Sequence, residues 1–397
     1  MRHLSIKVRN LEESQTLLLT QKARLLQEAG VDVVSLTAGE PDFPTPAHIK
    51  EAALRAIEAD FTHYTANQGT AELIGAVVDK FSSDNDLHFS PGQILVSAGA
   101  KQSIFNALSA ILNPGDEVVI PAPYWVSYPA IVRLADGIPV IASFPAASGF
   151  RPDIRLLRRS IGPKTRVLIL NTPCNPTGVV LSRSEVEEIA AIVKETNLTV
   201  ISDEIYEKMV FDGRKHVSIG SFKGIRDQVV TVNGVSKAYA MTGWRIGYMG
   251  GPEEIIRAAA KVQGQVTNNA NSIAQKATVA ALRGPQGPID AMREEFQLRR
   301  DYILRRLSAW GGEGIRNPQG GMFFFLSVEH FFGMRARGNL IRNASDLAEH
   351  LIEHHHVALV PGDAFGAPGH IRLSFAASMA DLEKGIDRLL RGLQEFQ

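Results

Sequence analysis

Lys237 stands where a lysine can do chemistry. The apolar run that begins at Gln228 closes at Thr231-Val232, and Gly234 and Ser236 interrupt it as a turn would, so the lysine falls in a loop just past a strand. A lysine so placed points into a site, not into bulk water. Gly243 and Gly247 bracket Trp244-Arg245-Ile246, which lets the backbone pass close to something bulky and anionic while Arg245 offers a planar fork of donors. A phosphate satisfies that arrangement. A second demand for an anion comes from Gly369–Phe375, where Arg372 shares one face of an alternating strand with His370 and Ser374, between Ile371, Leu373 and Phe375. An arginine in that setting needs either an internal carboxylate or one carried by a ligand.

These residues need a frame, and the pattern around them supplies one. Strands are predicted at 93–98, 116–121, 138–143, 165–171, 198–202 and 228–232, with helices at 101–112, 124–135 and 184–196 between them. That alternation specifies an α/β fold with a mostly parallel sheet covered on both faces by helices. Ligands of such sheets lie at the carboxyl ends of the strands. The residues there are Gly99-Ala100-Lys101 opening a helix, whose free N–H groups suit a phosphate, then Pro121–Trp125, Asn171–Gly178 and Ser202–Tyr206. Upstream come a helix at 12–29, a short strand at 31–36, the stiff loop Ala38–Pro44 and a helix at 46–59. Downstream come helices at 252–264, 270–283 and 289–310. A smaller α+β unit follows, with strands at 321–328, 357–360 and 370–375 and helices at 344–356 and 379–394. His354-His355-His356 lie on one of those helices, where consecutive side chains diverge, so they are expected at the surface and no metal is implied.

Composition narrows the class of partner. The chain has 397 residues, 45% hydrophobic and 21% charged, with Lys+Arg and Asp+Glu both 42, so neither nucleic acid nor a membrane surface is indicated. About forty residues precede Gly39, too few for a DNA-binding module and a linker. The single cysteine, Cys174, excludes an intramolecular disulfide and suits a reducing compartment. The N-terminal MRHLSIKVRNLEE lacks a signal-peptide pattern and no apolar run reaches transmembrane length, so a cytoplasmic protein is expected.

The run S-K-A-Y-A-M-T-G-W-R-I-G-Y around Lys237, with A-G-E-P-D-F at 38–43, N-T-P-C-N-P-T-G at 171–178, S-D-E-I-Y at 202–206 and I-R-L-S-F at 371–375, resembles class I pyridoxal-phosphate aminotransferases. The resemblance spans nearly the whole chain in the family's order. It implies fold type I of the pyridoxal-phosphate-dependent transferases, a seven-stranded-type sheet in a large domain at 46–288 and a small domain formed by 1–45 plus 289–397. It implies that Lys237 holds pyridoxal 5'-phosphate as a Schiff base and then serves as the base for the substrate's α-proton. Asp203 pairs with the cofactor's pyridine nitrogen, and Asn175 and Tyr206 meet its phenolic oxygen. Trp125 stacks on the ring, with packing in the core as its alternative. Ala100, Lys101, Ser236 and Arg245 surround the phosphate, although Gly234 stands where some relatives carry a serine ligand. Tyr64 reaches the phosphate of a neighbouring subunit, which makes a homodimer part of the expectation; the alternative is a tyrosine packed in its own core.

The same resemblance places the substrate. Arg372 and the Gly39 amide bind the α-carboxylate, while Lys101 with Ser14 and Thr16 is similar to the side-chain-carboxylate pocket of a bacterial aspartate aminotransferase subgroup. The implied reaction converts aspartate and 2-oxoglutarate to oxaloacetate and glutamate by ping-pong transfer. Members of that subgroup sometimes accept prephenate, helped by a basic residue near Ser14, where this chain has Glu12 and Glu13. A lyase or decarboxylase of the same fold is the competing reading, because one fold hosts several chemistries.

Overall fold

The computed structural model describes residues 3–9, 11, 15–310 and 315–396, and the side chains of residues 15–17 and 310 lie outside the description. Its centre is a seven-stranded sheet in the spatial order Ile94–Ser97, Gly247–Gly250, Val229–Gly234, Thr199–Asp203, Thr165–Asn171, Glu117–Ala122 and Ile138–Ser143. Every strand runs parallel except Gly247–Gly250, which pairs antiparallel with both neighbours. The strands are buried even at one edge of the sheet, as in ILVS at 94–97, and inside it, as in VVTVNG at 229–234. Such runs carry no alternation because helices cover both faces.

Six of the strands end on one edge of the sheet, and the chain segments that leave five of them carry the candidate residues. The reversed strand enters that edge instead of leaving it. A Cβ on Gly247 would collide with the backbone of Gly99 and Ala100, so only glycine lets this strand start against the first turn of the Ala100–Ile111 helix. The Tyr128–Leu134 helix begins four residues later than expected, because Tyr124–Ser127 form a turn that closes with Tyr128 N donating to Trp125 O at 3.0 Å. The sequence reading also passed over the Ala71–Asn85 helix, which Thr70 caps through Leu73 N.

The C-terminal part builds a second core. A three-stranded antiparallel sheet, Val360–Pro361, His370–Ser374 and Phe323–Ser327, packs with helices Gly287–Trp310, Ala344–His355 and Met379–Gln394. Its aromatic centre holds Phe296, Phe323, Phe324 and Phe375. The expected strand at 357–360 is two short pieces, and the first, Val357–Ala358, pairs in parallel with Val34–Ser35. The N-terminal segment is thereby tied to this core. No helix among the described residues is long and apolar enough to cross a membrane.

Candidate functional site

A cavity of about 330 Å³ opens at the carboxyl edge of the large sheet and is floored by the smaller core. Gly39, Ala100, Lys101, Trp125, Asn175, Asp203, Tyr206, Ser236, Lys237, Arg245 and Arg372 all line it. Tyr64 does not; its side chain is on the surface, 87% exposed, so the alternative of a tyrosine packed in its own core is wrong. Ser14 and the side chain of Thr16 lie outside the described residues.

Lys237 leaves the end of the Val229–Gly234 strand and points its Nζ at Gly39 O, 2.5 Å away. Burial is the main cause that pulls its pKa down to about 8, with Arg245 and Arg372 adding to it and Glu40 and Asp203 opposing. A lysine so depressed spends a substantial fraction of its time as a neutral amine near pH 7.5, which is the form that can attack a carbonyl or take a proton.

Asp203 ends its strand fully enclosed. Desolvation raises its carboxyl to about 6, against the hydrogen bonds from Tyr128 and the Ile205 amide that favour the charged form. Tyr128 Oη donates to Asp203 Oδ2 at 2.6 Å. The next residue fixes the strand end from behind. Glu204 is wholly buried and accepts from Ser202 Oγ and Ser218 Oγ at 2.8 Å and from Asn85 Nδ2 at 3.2 Å, and His216 Nε2 lies 2.8 Å away. A buried carboxylate so fully satisfied cannot shift without stranding several partners.

The Asn171–Gly178 loop locks onto the same strand end. Asn171 Nδ2 donates to Asp203 O at 2.9 Å and Asn171 Oδ1 accepts from Asn175 N at 2.9 Å. Asn175 Oδ1 in turn accepts from Arg372 Nη1 at 3.1 Å. Arg372 is fully buried in a sandwich, its guanidinium 4.2 Å from the Phe323 ring and 4.8 Å from the Phe365 ring. Its Nη2 donates to Thr37 O at 2.7 Å, and its Nε has no partner. No carboxylate among the described residues pairs with it, and burial brings its pKa down to about 10. The alternative of an internal ion pair is therefore wrong. A planar, desolvated and unneutralised guanidinium is a receptor for a carboxylate.

At the other end of the cavity the Ala100–Ile111 helix starts from Gly99 without a side-chain cap, leaving amides of its first turn to a ligand. Arg245 lies across that terminus. It adopts a left-handed φ of 57° and donates from Nη1 to Thr242 O at 2.9 Å and from Nη2 to Ala98 O at 3.4 Å. Gly99, at φ +93°, leaves room for that guanidinium; a Cβ there would strike it. Lys101 Nζ sits 4.9 Å over the Trp125 ring, and its pKa is lowered by burial and then by Arg245. The cavity lining thus sets four cations, Lys101, Lys237, Arg245 and Arg372, against one carboxylate, Asp203. The ligand must be strongly anionic.

Residues 31–389 match the model of the family described as aminotransferase class I and II. The chain belongs to that family. As an aminotransferase it is 46% identical, over 98% of its own length and 82% of the relative's, to the bifunctional aspartate aminotransferase and glutamate/aspartate-prephenate aminotransferase of Petunia hybrida. Its fold matches the aspartate aminotransferase of Rhizobium meliloti with a TM-score of 0.96, at 40% identity over the whole of both chains. It matches the Thermus thermophilus aspartate aminotransferase with maleate at 0.93 and 41% identity, over 99% of this chain and 100% of that one. Enzymes of this family use pyridoxal phosphate, and the donor set fits that group. The uncapped helix terminus with Arg245 suits a phosphate, Lys237 an aldehyde, and the buried Asp203 a ring nitrogen that carries a proton.

Sequence reasoning missed Tyr128, Asn171 and Thr242, which also line the cavity. A tyrosine three positions after Trp125, in an otherwise apolar helical run, was the available signal for Tyr128.

Proposed function

We propose that this aminotransferase exchanges the amino group of aspartate with 2-oxoglutarate. The observation that carries the reading is Lys101, on the cavity wall over Trp125 with a lowered pKa and no carboxylate to pair with among the described residues. With Arg372 taking one carboxylate, a second cation at the far end of the cavity supports a dicarboxylic substrate. Bound pyridoxal phosphate supplies the electron sink for the substrate's α-carbon. Lys237, neutral above about pH 8, takes and returns the α-proton. Asp203 holds the proton on the ring nitrogen, and Tyr206 and Asn175 serve the phenolic oxygen. Ser236, Arg245 and the Ala100 end of the helix retain the phosphate, while Trp125 covers one face of the ring. Gly39 and Arg372 orient the α-carboxylate.

Prephenate, also a dicarboxylate, is the second reading, favoured by the name of the Petunia relative. The exposed Tyr64 supports a homodimer in which it completes a partner's phosphate site. We also assign residues 46–288 to a large domain and 1–45 with 289–397 to a small one, in a cytoplasmic enzyme. The test is a screen of amino donors with 2-oxoglutarate as acceptor. Oxaloacetate formed from aspartate supports the reading, whereas ammonia or carbon dioxide release would place the enzyme among lyases or decarboxylases.

A further inference from the structure

His350, His354 and His355 lie on the closing turns of the Ala344–His355 helix, and Glu395, at the end of the Met379–Gln394 helix, returns against them. The sequence expectation that His354, His355 and His356 lie at the surface does not hold: each is partly buried, and the structure adds the buried His350 to them. The His350 side chain is 1% exposed and that of His355 10%. His350 Nε2 lies 3.1 Å from Glu395 Oε2, and His355 Nε2 lies 3.3 Å from Glu395 Oε1. The donor atoms of all three fall within 4.8 Å of one another. Single-helix geometry hid this, because the convergence comes from a residue forty positions downstream.

Ordinary packing satisfies only part of the cluster: His350 Nε2 is within hydrogen-bond distance of Glu395 Oε2, whereas His355 Nε2 has no hydrogen bond. Among the described residues, fifteen buried side-chain nitrogens and oxygens lack a hydrogen-bond partner, and His350 Nδ1, His354 Nε2, His355 Nε2 and His356 Nδ1 supply four of them within seven positions. Buried polar atoms normally find partners. The other grouping of this kind, Glu204, Glu207 and His216, is satisfied from within: Glu204 accepts from Ser202, Ser218 and Asn85, and Glu207 pairs with Lys80 and accepts from Asn85.

We propose that His350, His355 and Glu395 bind one divalent first-row cation of the zinc or cobalt type. Two imidazoles and a carboxylate suit these ions better than magnesium or calcium, which prefer all-oxygen sites. Glu395, 25% exposed, gives the ion a route in. Arg337 is the competitor: it donates to Glu395 Oε1 at 2.6 and 3.0 Å and at 3.2 Å to Oε2, the oxygen beside His350, so a metal must displace its bond to Oε2. The ion displaces any proton from the two ligating nitrogens into solvent and fastens the end of one helix to the end of the other.

The test titrates chelator-treated holoenzyme with Co²⁺ and then Zn²⁺ alone, without amino acid. One Co²⁺ per chain should give a visible d–d band that Zn²⁺ abolishes, and Zn²⁺ should raise Tm. His355→Gln and Glu395→Gln should each weaken binding by at least about ten-fold, with cofactor absorbance and turnover retained as evidence of folding. Arg337→Gln should tighten it, an effect that loss of structure does not mimic. Absence of saturable binding at millimolar metal, binding equal to wild type in both ligand variants, or weaker binding in Arg337→Gln would each overturn the proposal.

Discussion

The Tyr128 hydroxyl donates to Asp203 Oδ2 across 2.6 Å inside a site where both groups are buried. That bond favours the ionised carboxylate, against a desolvation that raises it to about 6. Removing it in Tyr128→Phe should raise the carboxyl further and loosen its aim. Hydrogen bonds to charged groups contribute roughly 1.5–3 kcal/mol, so kcat/KM should fall about ten- to hundred-fold. Steady-state kinetics alongside the absorbance of retained cofactor measure it. Full activity would show that Asp203 needs no such support.

Asp203→Asn should move activity and stability in opposite directions. Turnover should collapse while cofactor still binds, because the charge that holds the ring proton is gone. For the apo protein the sign is reversed. The unfolded carboxyl ionises from 3.8 and the folded one from about 6, so stability is lost as pH rises between those values and stays lost above them. The asparagine variant escapes that loss, on the order of 3 kcal/mol at most. Its apo Tm should exceed wild type at pH 7.5 and converge with it below pH 4; equal values at both would refute the burial argument.

Lys237 should be the residue that borohydride fixes to the cofactor, and Lys237→Ala should be inactive. Because burial lowers its pKa to about 8, the rate at which apo protein captures pyridoxal phosphate should climb with pH and level off above that value. A profile still rising at pH 10, or label on another lysine, would remove Lys237 from its role.

Lys101→Ala separates two anions. If Lys101 reads the distal carboxylate, a charge-assisted bond of about 1.5–3 kcal/mol disappears for dicarboxylates alone, roughly ten- to hundred-fold in kcat/KM for aspartate. Alanine should be used as well as before or better. Equal losses for both donors, with weaker cofactor retention, would instead assign Lys101 to the phosphate.

Tyr64 projects from its own chain, 87% exposed. Mixing Tyr64→Phe with Lys237→Ala subunits should restore activity, because one site of a hybrid dimer then has both residues intact. Verified subunit exchange without recovery would count against a shared site.

What could be read in the sequence depended on locality. Lys237, Asp203 and Asn175 each follow a strand, and a strand end in an alternating α/β pattern announces itself within ten residues. Arg372 was legible because its strand alternates cleanly. Tyr128 was not, since a tyrosine in a helix looks the same whether its hydroxyl meets solvent or Asp203. The reversed Gly247–Gly250 strand was read only as a glycine-bracketed loop; two glycines in four residues are poor strand formers, and the close approach of Gly99 and Ala100 that requires Gly247 is invisible locally. The histidine run was misjudged because Glu395 arrives from another helix.

The parallel pairing of Val34–Ser35 with Val357–Ala358 joins segments more than three hundred positions apart. Ser374 N donates to Leu36 O at 2.9 Å and Arg372 Nη2 to Thr37 O, so the surroundings of Arg372 are assembled from segments 335 positions apart. During synthesis the N-terminal segment must wait, unpaired, for its partner strand to be made. Contacts of such sequence separation form late in folding, so the proposed substrate receptor around Arg372 should mature after the sheet that carries Lys237 and Asp203. A newly made chain would then pass through a stage able to capture cofactor before it can recognise an amino acid.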